Sequence, residues 1–173
     1  MALTTARLLL RPITHRDNSA LLPLLNHVAV KQFNDYGDNL SATDLKCMIQ
    51  LDIERRLNNC GGRFGIFSKH RLSLLGSVGF YQEHDSEAGV NIGYELAPNY
   101  WGKGIMYEAI SALFAQPSNL PFQHNTVFAQ VHPNNLRSKT LITRLGFSEL
   151  TQQHVYRKEL DNVVITEKTT AHL

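Results

Sequence analysis

A mixed α/β domain with a mostly antiparallel twisted sheet and helices on both faces is the fold class this chain predicts. Three observations carry that expectation. The hydrophobic period alternates between about 2 and 3.6 along the chain, in the order strand, two helices, three strands, helix, strand, helix, hairpin. The central strand-like runs are separated by short turns, so they pair antiparallel. Residues 90–96, 102–116 and 126–131 together have the length of a crossover, which makes their two strands parallel and adjacent. A mixed sheet flanked by helices follows.

Residues 7–12 (Arg-Leu-Leu-Leu-Arg-Pro) read as a first strand, closed by Pro12, which has no N–H for a ladder. Residues 17–30 carry leucines at 21, 22, 24 and 25 and read as one short helix, with Pro23 tolerated only near its start. Residues 34–39 are polar and turn-forming. Ser41 stands three before Asp44, a capping pattern for a helix through Leu45, Met48, Ile49, Asp52 and Ile53, ended by Asn58-Asn59-Cys60-Gly61-Gly62. Strands follow at 63–68, 72–82 and 90–96, with a charged turn at 83–89. In 102–116 the row Met106, Ile110, Leu113 lies beside Ile105, Ala109, Ala112, which describes an amphipathic helix stopped by Pro117. A strand at 126–131, a helix at 135–145 stopped by Gly146, and a hairpin at 147–151 and 154–160 complete the order. The whole chain, 1–173, reads as one domain, with its core at about 5–160 and a tail at 161–173.

Composition excludes more than it selects. A net charge of +2 is too small to argue for nucleic acid, and no basic stripe accompanies the aromatic pairs Phe80-Tyr81 and Tyr100-Trp101. Cys47 and Cys60 form no C-x-x-C pair and no disulfide framework. The eight histidines have no zinc-type spacing, so no metal is expected. The apolar run Leu8-Leu9-Leu10 is too short for a signal core or a membrane span, which points to a cytoplasmic protein with no membrane partner.

The informative segment is Ala97-Pro98-Asn99-Tyr100-Trp101-Gly102-Lys103-Gly104, joining the end of a strand to the start of a helix. Glycines two apart let backbone approach a ligand closely. The unpaired N–H groups of the first helical turn then converge on an anion, assisted by the helix dipole. A pyrophosphate fits without metal, although a plain strand-to-helix turn would also use glycines. A P-loop is excluded because Gly104 follows Lys103 where Ser or Thr is needed. A dinucleotide fingerprint is excluded because Tyr107 occupies the sixth position from Gly102.

In these residues the chain resembles the GCN5-related N-acetyltransferases, and within them the branch that acetylates ribosomal-protein N-termini. The family signature Gln/Arg-x-x-Gly-x-Gly/Ala falls on Trp101 to Met106. Three further matches accompany it: Ile92-Gly93-Tyr94-Glu95-Leu96 before it, His132-Pro133-Asn134-Asn135-Leu136-Arg137-Ser138 with Arg144-Leu145-Gly146-Phe147 after it, and Thr5 to Pro12 at the start. The resemblance spans about residues 5–160, in order. It implies the fold of that family, in which one parallel strand pair splays apart, and acetyl-CoA as acetyl donor. The pantetheine arm would pair with backbone near Tyr94, Leu96 and Ala97. The pyrophosphate would lie on amides from Gly102 through Lys103, Gly104, Ile105 and Met106 to Tyr107, beside Trp101. The sequence departs from the signature at Trp101 and Met106.

The resemblance also implies roles for Asn135, against the pantetheine arm, and Ser138, beside the sulfur as proton donor to the leaving thiolate. A bland reading stands next to both, since asparagine caps helices and serine is common in first turns. Many family members carry a tyrosine where Ile142 stands, so Ser138 is the acid that the motif positions. For the base, Glu95 shares the face of Asn91, near which many relatives carry a glutamate, and a pathway with no dedicated base is a further alternative. Pairing of Glu95 with a lysine or arginine is the competing reading, and Glu83 and His132 are weaker candidates.

The function expected is direct attack of a primary amine, at a protein or peptide N-terminus, on acetyl-CoA in a ternary complex. A small amine as acceptor (polyamine, amino acid or antibiotic) and a non-catalytic acyl-CoA-binding module are the rivals. Phe33, Asp35, Tyr36 and Asp38 are candidates to meet a cationic amine, and a homodimer is compatible with the sequence.

Overall fold

The computed structural model describes residues 2–34, 37, 39–82, 89–150 and 154–161. Asp35, Tyr36, Asp38 and Glu83, and nearly all of the tail, lie outside the described residues.

Thirteen elements follow one another: β1 (Leu3–Thr4), β2 (Leu8–Pro12), α1 (Asn18–Leu25), α2 (Val28–Lys31), α3 (Ala42–Leu57), β3 (Gly61–Ser68), β4 (Leu74–Tyr81), β5 (Val90–Leu96), α4 (Ile105–Phe114), β6 (Thr126–Gln130), α5 (Leu136–Arg144), β7 (Ser148–Leu150) and β8 (Val155–Glu159). Short 3-10 turns lie between some of them. The strands form one eight-stranded sheet in the order β1-β2-β3-β4-β5-β6-β8-β7. Every neighbouring pair is antiparallel except β5 and β6.

That parallel pair is short. β5 meets β6 only at Val90–Val127 and Asn91–Phe128. Beyond Asn91 the two strands diverge, and the sheet opens into a split.

Two apolar clusters occupy its two faces. Leu8, Leu10, Ile66, Val78, Phe80 and Ile92 pack with Ile105, Ala109, Ile110, Leu113 and Ile142 of α4 and α5. Ile13 and Phe67 pack with Leu21, Leu24, Leu25, Leu45 and Ile49 of α1 and α3. Fully burying such side chains stabilises by roughly 1.5–3 kcal/mol each before entropy is counted. Trp101 touches both clusters and stands where the split reaches the edge of the cores.

The capping pattern at Ser41 is realised in both directions. Ser41 Oγ accepts from the Asp44 N–H at 3.1 Å, and Asp44 Oδ2 accepts from the Ser41 N–H at 2.8 Å. Helix α3 ends at Leu57 with Asn58 as its C-cap, as the sequence suggested, and β3 starts two residues before its expected beginning, at Gly61. The helix expected at 17–30 is two helices. Asn26 breaks it, because its side-chain amide donates to the Leu40 carbonyl and accepts from the Leu40 N–H, both at 2.8 Å. The His27 ring then accepts from the Ala29 N–H and starts α2. Sequence reading also missed β1, which is only two residues long. No helix among the described residues is long and apolar enough to cross a membrane.

Candidate active site

A cleft of about 460 Å³ runs along the split, between the end of β5, the start of α4 and the start of α5. Its floor follows from strand parity. The Ala97 N–H donates to the Leu75 carbonyl at 2.8 Å, so odd positions of β5 bond to β4. The backbone groups of Tyr94 and Leu96 therefore face the split. Ala97, expected beside them, does not: its N–H is held by Leu75 and its carbonyl accepts from Tyr100. The Leu96 carbonyl already accepts from the Trp101 indole at 2.7 Å.

Gly102 and Gly104 both adopt φ +71°, the left-handed region that a side chain disfavours. No neighbouring atom lies within 4 Å of a Cβ built on Gly102, so conformation rather than crowding requires glycine there. This double turn leads into α4 with no side-chain cap. Among the described residues, no amide from Gly102 to Tyr107 reaches a backbone or side-chain acceptor. Six adjacent amides without an acceptor at the start of a ten-residue helix are donors of the kind an anion satisfies.

The loop is fastened from behind. Arg7 donates from Nη1 to the Lys103 carbonyl at 3.0 Å and from Nε to Glu108 Oε2 at 2.6 Å. Thr5 Oγ donates to Glu108 Oε1 at 2.5 Å. Burial works to raise the Glu108 carboxyl, and the bonds from Thr5 and Arg7 overcome it and hold the group below its ordinary value.

Two arginines that sequence reasoning left unassigned stand on the facing wall. Arg137 lies 4.2 Å from the Trp101 ring centroid, and Arg144 lies 4.4 Å from that of Tyr107. Both line the cleft, and neither has a carboxylate partner among the described residues. Their spacing of seven residues, two helical turns, was the available signal. The Lys103 side chain, by contrast, rests 5.7 Å from the Tyr100 ring centroid and does not line the cleft.

At the start of α5, Asn135 is the N-cap, with its side-chain oxygen accepting from the Ser138 N–H at 3.1 Å. Ser138 Oγ lies 2.5 Å from the Tyr94 hydroxyl. Ile142, one turn further on, is fully buried in the core and presents nothing to the cleft. Burial pushes the Tyr94 phenol up to about 12, against the opposing effect of its bond to Ser138.

Glu95 belongs to a different constellation. Its carboxylate is ion-paired with Arg63 and accepts from the Ser77 hydroxyl, its cross-strand partner. Arg63 also donates from Nε to Asp52 of α3 at 3.1 Å. His132 accepts from the Asn134 N–H at 3.2 Å and packs its ring 5.7 Å from that of Phe33, closing the turn before α5. No group of three or more His, Cys, Asp or Glu among the described residues is arranged to hold a metal ion.

Comparison with known proteins agrees with this architecture. The family profile described as an acetyltransferase (GNAT) domain matches residues 7–148. The uncharacterised N-acetyltransferase p20 of Bacillus licheniformis is 28% identical over 147 residues, covering 85% of this chain and 82% of that protein. The ribosomal protein uS5 alanine N-acetyltransferase of Escherichia coli is 26% identical over 152 residues, covering 85% and 78%. A solved structure of RimL, an acetyltransferase of ribosomal protein L7/L12 in complex with coenzyme A, superposes with a TM-score of 0.77. It is 19% identical and covers 93% of this chain and 99% of that one. The chain is therefore an N-acetyltransferase of the GNAT family.

Proposed function

We propose that the chain transfers the acetyl group of acetyl-CoA to a primary amine, and that the acceptor is the N-terminus of a protein or peptide. The observation that carries the donor half is the run of unpaired amides from Gly102 to Tyr107 beside an open parallel strand pair. A diphosphate satisfies those donors, and Arg137 and Arg144 add two charges to hold it. The pantetheine arm then lies along β5 as an added strand, bonded to Tyr94 and to the Leu96 N–H. Asn135 reaches the arm with the amide nitrogen its capping role leaves over.

In this reading the amine attacks the thioester directly, with both substrates held in one cleft, so proximity supplies a large part of the rate. Ser138 gives its hydrogen to the departing sulfur. Glu95 is proposed to hold the sheet together rather than to take the amine proton, because Arg63 and Ser77 already engage its Oε1. The amine sheds its proton to water.

The acceptor half is supported by the alanine N-acetyltransferase of ribosomal protein uS5, which is related along most of its length. Screening an array of peptides with free and blocked N-termini, using acetyl-CoA, tests it. Acetylation confined to free α-amines is the expected result. Acetylation of polyamines or lysine side chains in preference would overturn the acceptor class, and CoA binding without turnover on any amine would overturn catalysis.

A further inference from the structure

We propose that Tyr94 is a positioning residue for acyl transfer: its phenol donates to Ser138 Oγ, which leaves the serine hydrogen for the departing sulfur. The inference rests on the reading of Ser138 as the group beside the sulfur, and adds to it a second hydroxyl behind the first.

The geometry carries the argument. Tyr94 lies three residues beyond Asn91, the last residue of β5 paired to β6. Its side chain crosses the opened split and reaches the first turn of α5, 2.5 Å from Ser138 Oγ. Both residues line the cleft. Asn135 holds the Ser138 N–H, so the serine is set in place by its own backbone while its hydroxyl stays rotatable. A serine hydroxyl has one hydrogen and two acceptor sites. If the phenol supplies a hydrogen to one of those sites, the serine hydrogen must point elsewhere, and the cleft is where it can go.

A serine alone is a poor acid, since giving up its proton leaves an alkoxide. With a phenol behind it, the charge left on Ser138 Oγ is held by the Tyr94 hydrogen bond while the phenol keeps its own proton. Burial keeps that phenol protonated at any pH near neutrality, so it is always available as donor. The step balances. The nitrogen–carbon bond forms, the carbon–sulfur bond breaks, and its electron pair goes to sulfur. Sulfur takes the Ser138 hydrogen, Tyr94 keeps its own while bonding to the serine oxygen, and the proton shed by the acylated nitrogen returns to Ser138 through water. Ile142 explains why the hydroxyl comes from the strand, for the helix position one turn after Ser138 is sealed in the core.

The test compares Tyr94→Phe, Ser138→Ala and the double variant, each first shown folded by circular dichroism. With acetyl-CoA and an alanine-initiated peptide, Tyr94→Phe should lower kcat about tenfold or more while the CoA Kd stays within about twofold. The double variant should be no slower than Ser138→Ala alone, since the relay passes through the serine. An acceptor-independent readout is the thiolate fraction of enzyme-bound CoA, measured from the pH dependence of its alkylation. A hydroxyl pair that donates to sulfur stabilises the thiolate, so that fraction should fall about tenfold in Tyr94→Phe at neutral pH. Parent kcat and parent thiolate fraction in Tyr94→Phe, or losses that add in the double variant, overturn the relay. Full kcat in Ser138→Ala overturns the serine reading itself, whereas a slow Ser138→Ala beside a fast Tyr94→Phe overturns the relay alone.

Discussion

Arg63 of strand β3 binds Glu95 and Asp52 with one guanidinium, reaching over strand β4 to β5 on one side and to helix α3 on the other. The Arg63 side chain is 12% exposed and that of Glu95 1%, so the pair is shielded from water. Removing Arg63 takes the buried Glu95 carboxylate's cation away, while Asp52 keeps Arg55 at 3.6 Å. Arg63→Ala should cost about 3–5 kcal/mol in chemical denaturation. Glu95→Gln, which keeps the shape, should lower stability while leaving the pH profile of kcat in place. An ascending limb that disappears in Glu95→Gln would restore this carboxylate as the base.

The turn proposed to hold phosphate depends on its glycines. Gly104 at φ +71° is left-handed, and valine there would have to leave that conformation or bear its strain. Gly104→Val should therefore weaken CoA binding at least tenfold in calorimetry, with the fold retained. Binding by the parent chain should be unchanged by EDTA.

Arg137 and Arg144 should be felt as charges. Each glutamine substitution removes one charge-assisted contact of about 1.5–3 kcal/mol, so the CoA Kd should rise about tenfold or more. The parent affinity should fall as salt is added, and the slope should flatten in the double variant. Affinity that neither substitution changes would show that the amides hold the diphosphate alone.

Acid stability should depend on Asp17. Burial works to raise this carboxyl, but bonds from Arg11 and from the Thr14 amide and hydroxyl hold it below its ordinary value. A depressed folded pKa gives stability that is present above the unfolded value of about 3.9 and lost as pH falls through the folded one. Melting temperatures between neutrality and about pH 3 should fall less steeply in Asp17→Asn, which starts lower. Parallel slopes would remove Asp17 from the acid transition.

How much of this was legible follows from the range of each interaction. Period and capping are local, so the order of strands and helices, the Ser41–Asp44 box and the glycine turn could all be read along the chain. The break at Asn26 could not, because its partner Leu40 lies fourteen residues away. The same holds for the pairing of Glu95 with Arg63, 32 residues apart, although the shared strand parity of Asn91 and Glu95 was correctly readable. Tyr94 was visible only as backbone. Its phenol gains meaning from Ser138, 44 residues on, and only the opening of the split brings the two together.

The fastening of the Gly102–Gly104 turn by Arg7 bears on how the chain comes together. Arg7 and Glu108 are separated by 101 residues, so a contact between the start of the chain and its middle fastens the turn proposed to hold the diphosphate. Closing so long a loop costs only slightly more entropy than closing one half as long, but it cannot close before both ends exist. On a ribosome β2 can pair with β1 and β3 early, but the Arg7 side chain must wait for Glu108 until helix α4 has emerged. Replacing Thr5 or Arg7 would then act on the proposed cofactor affinity from outside the cleft.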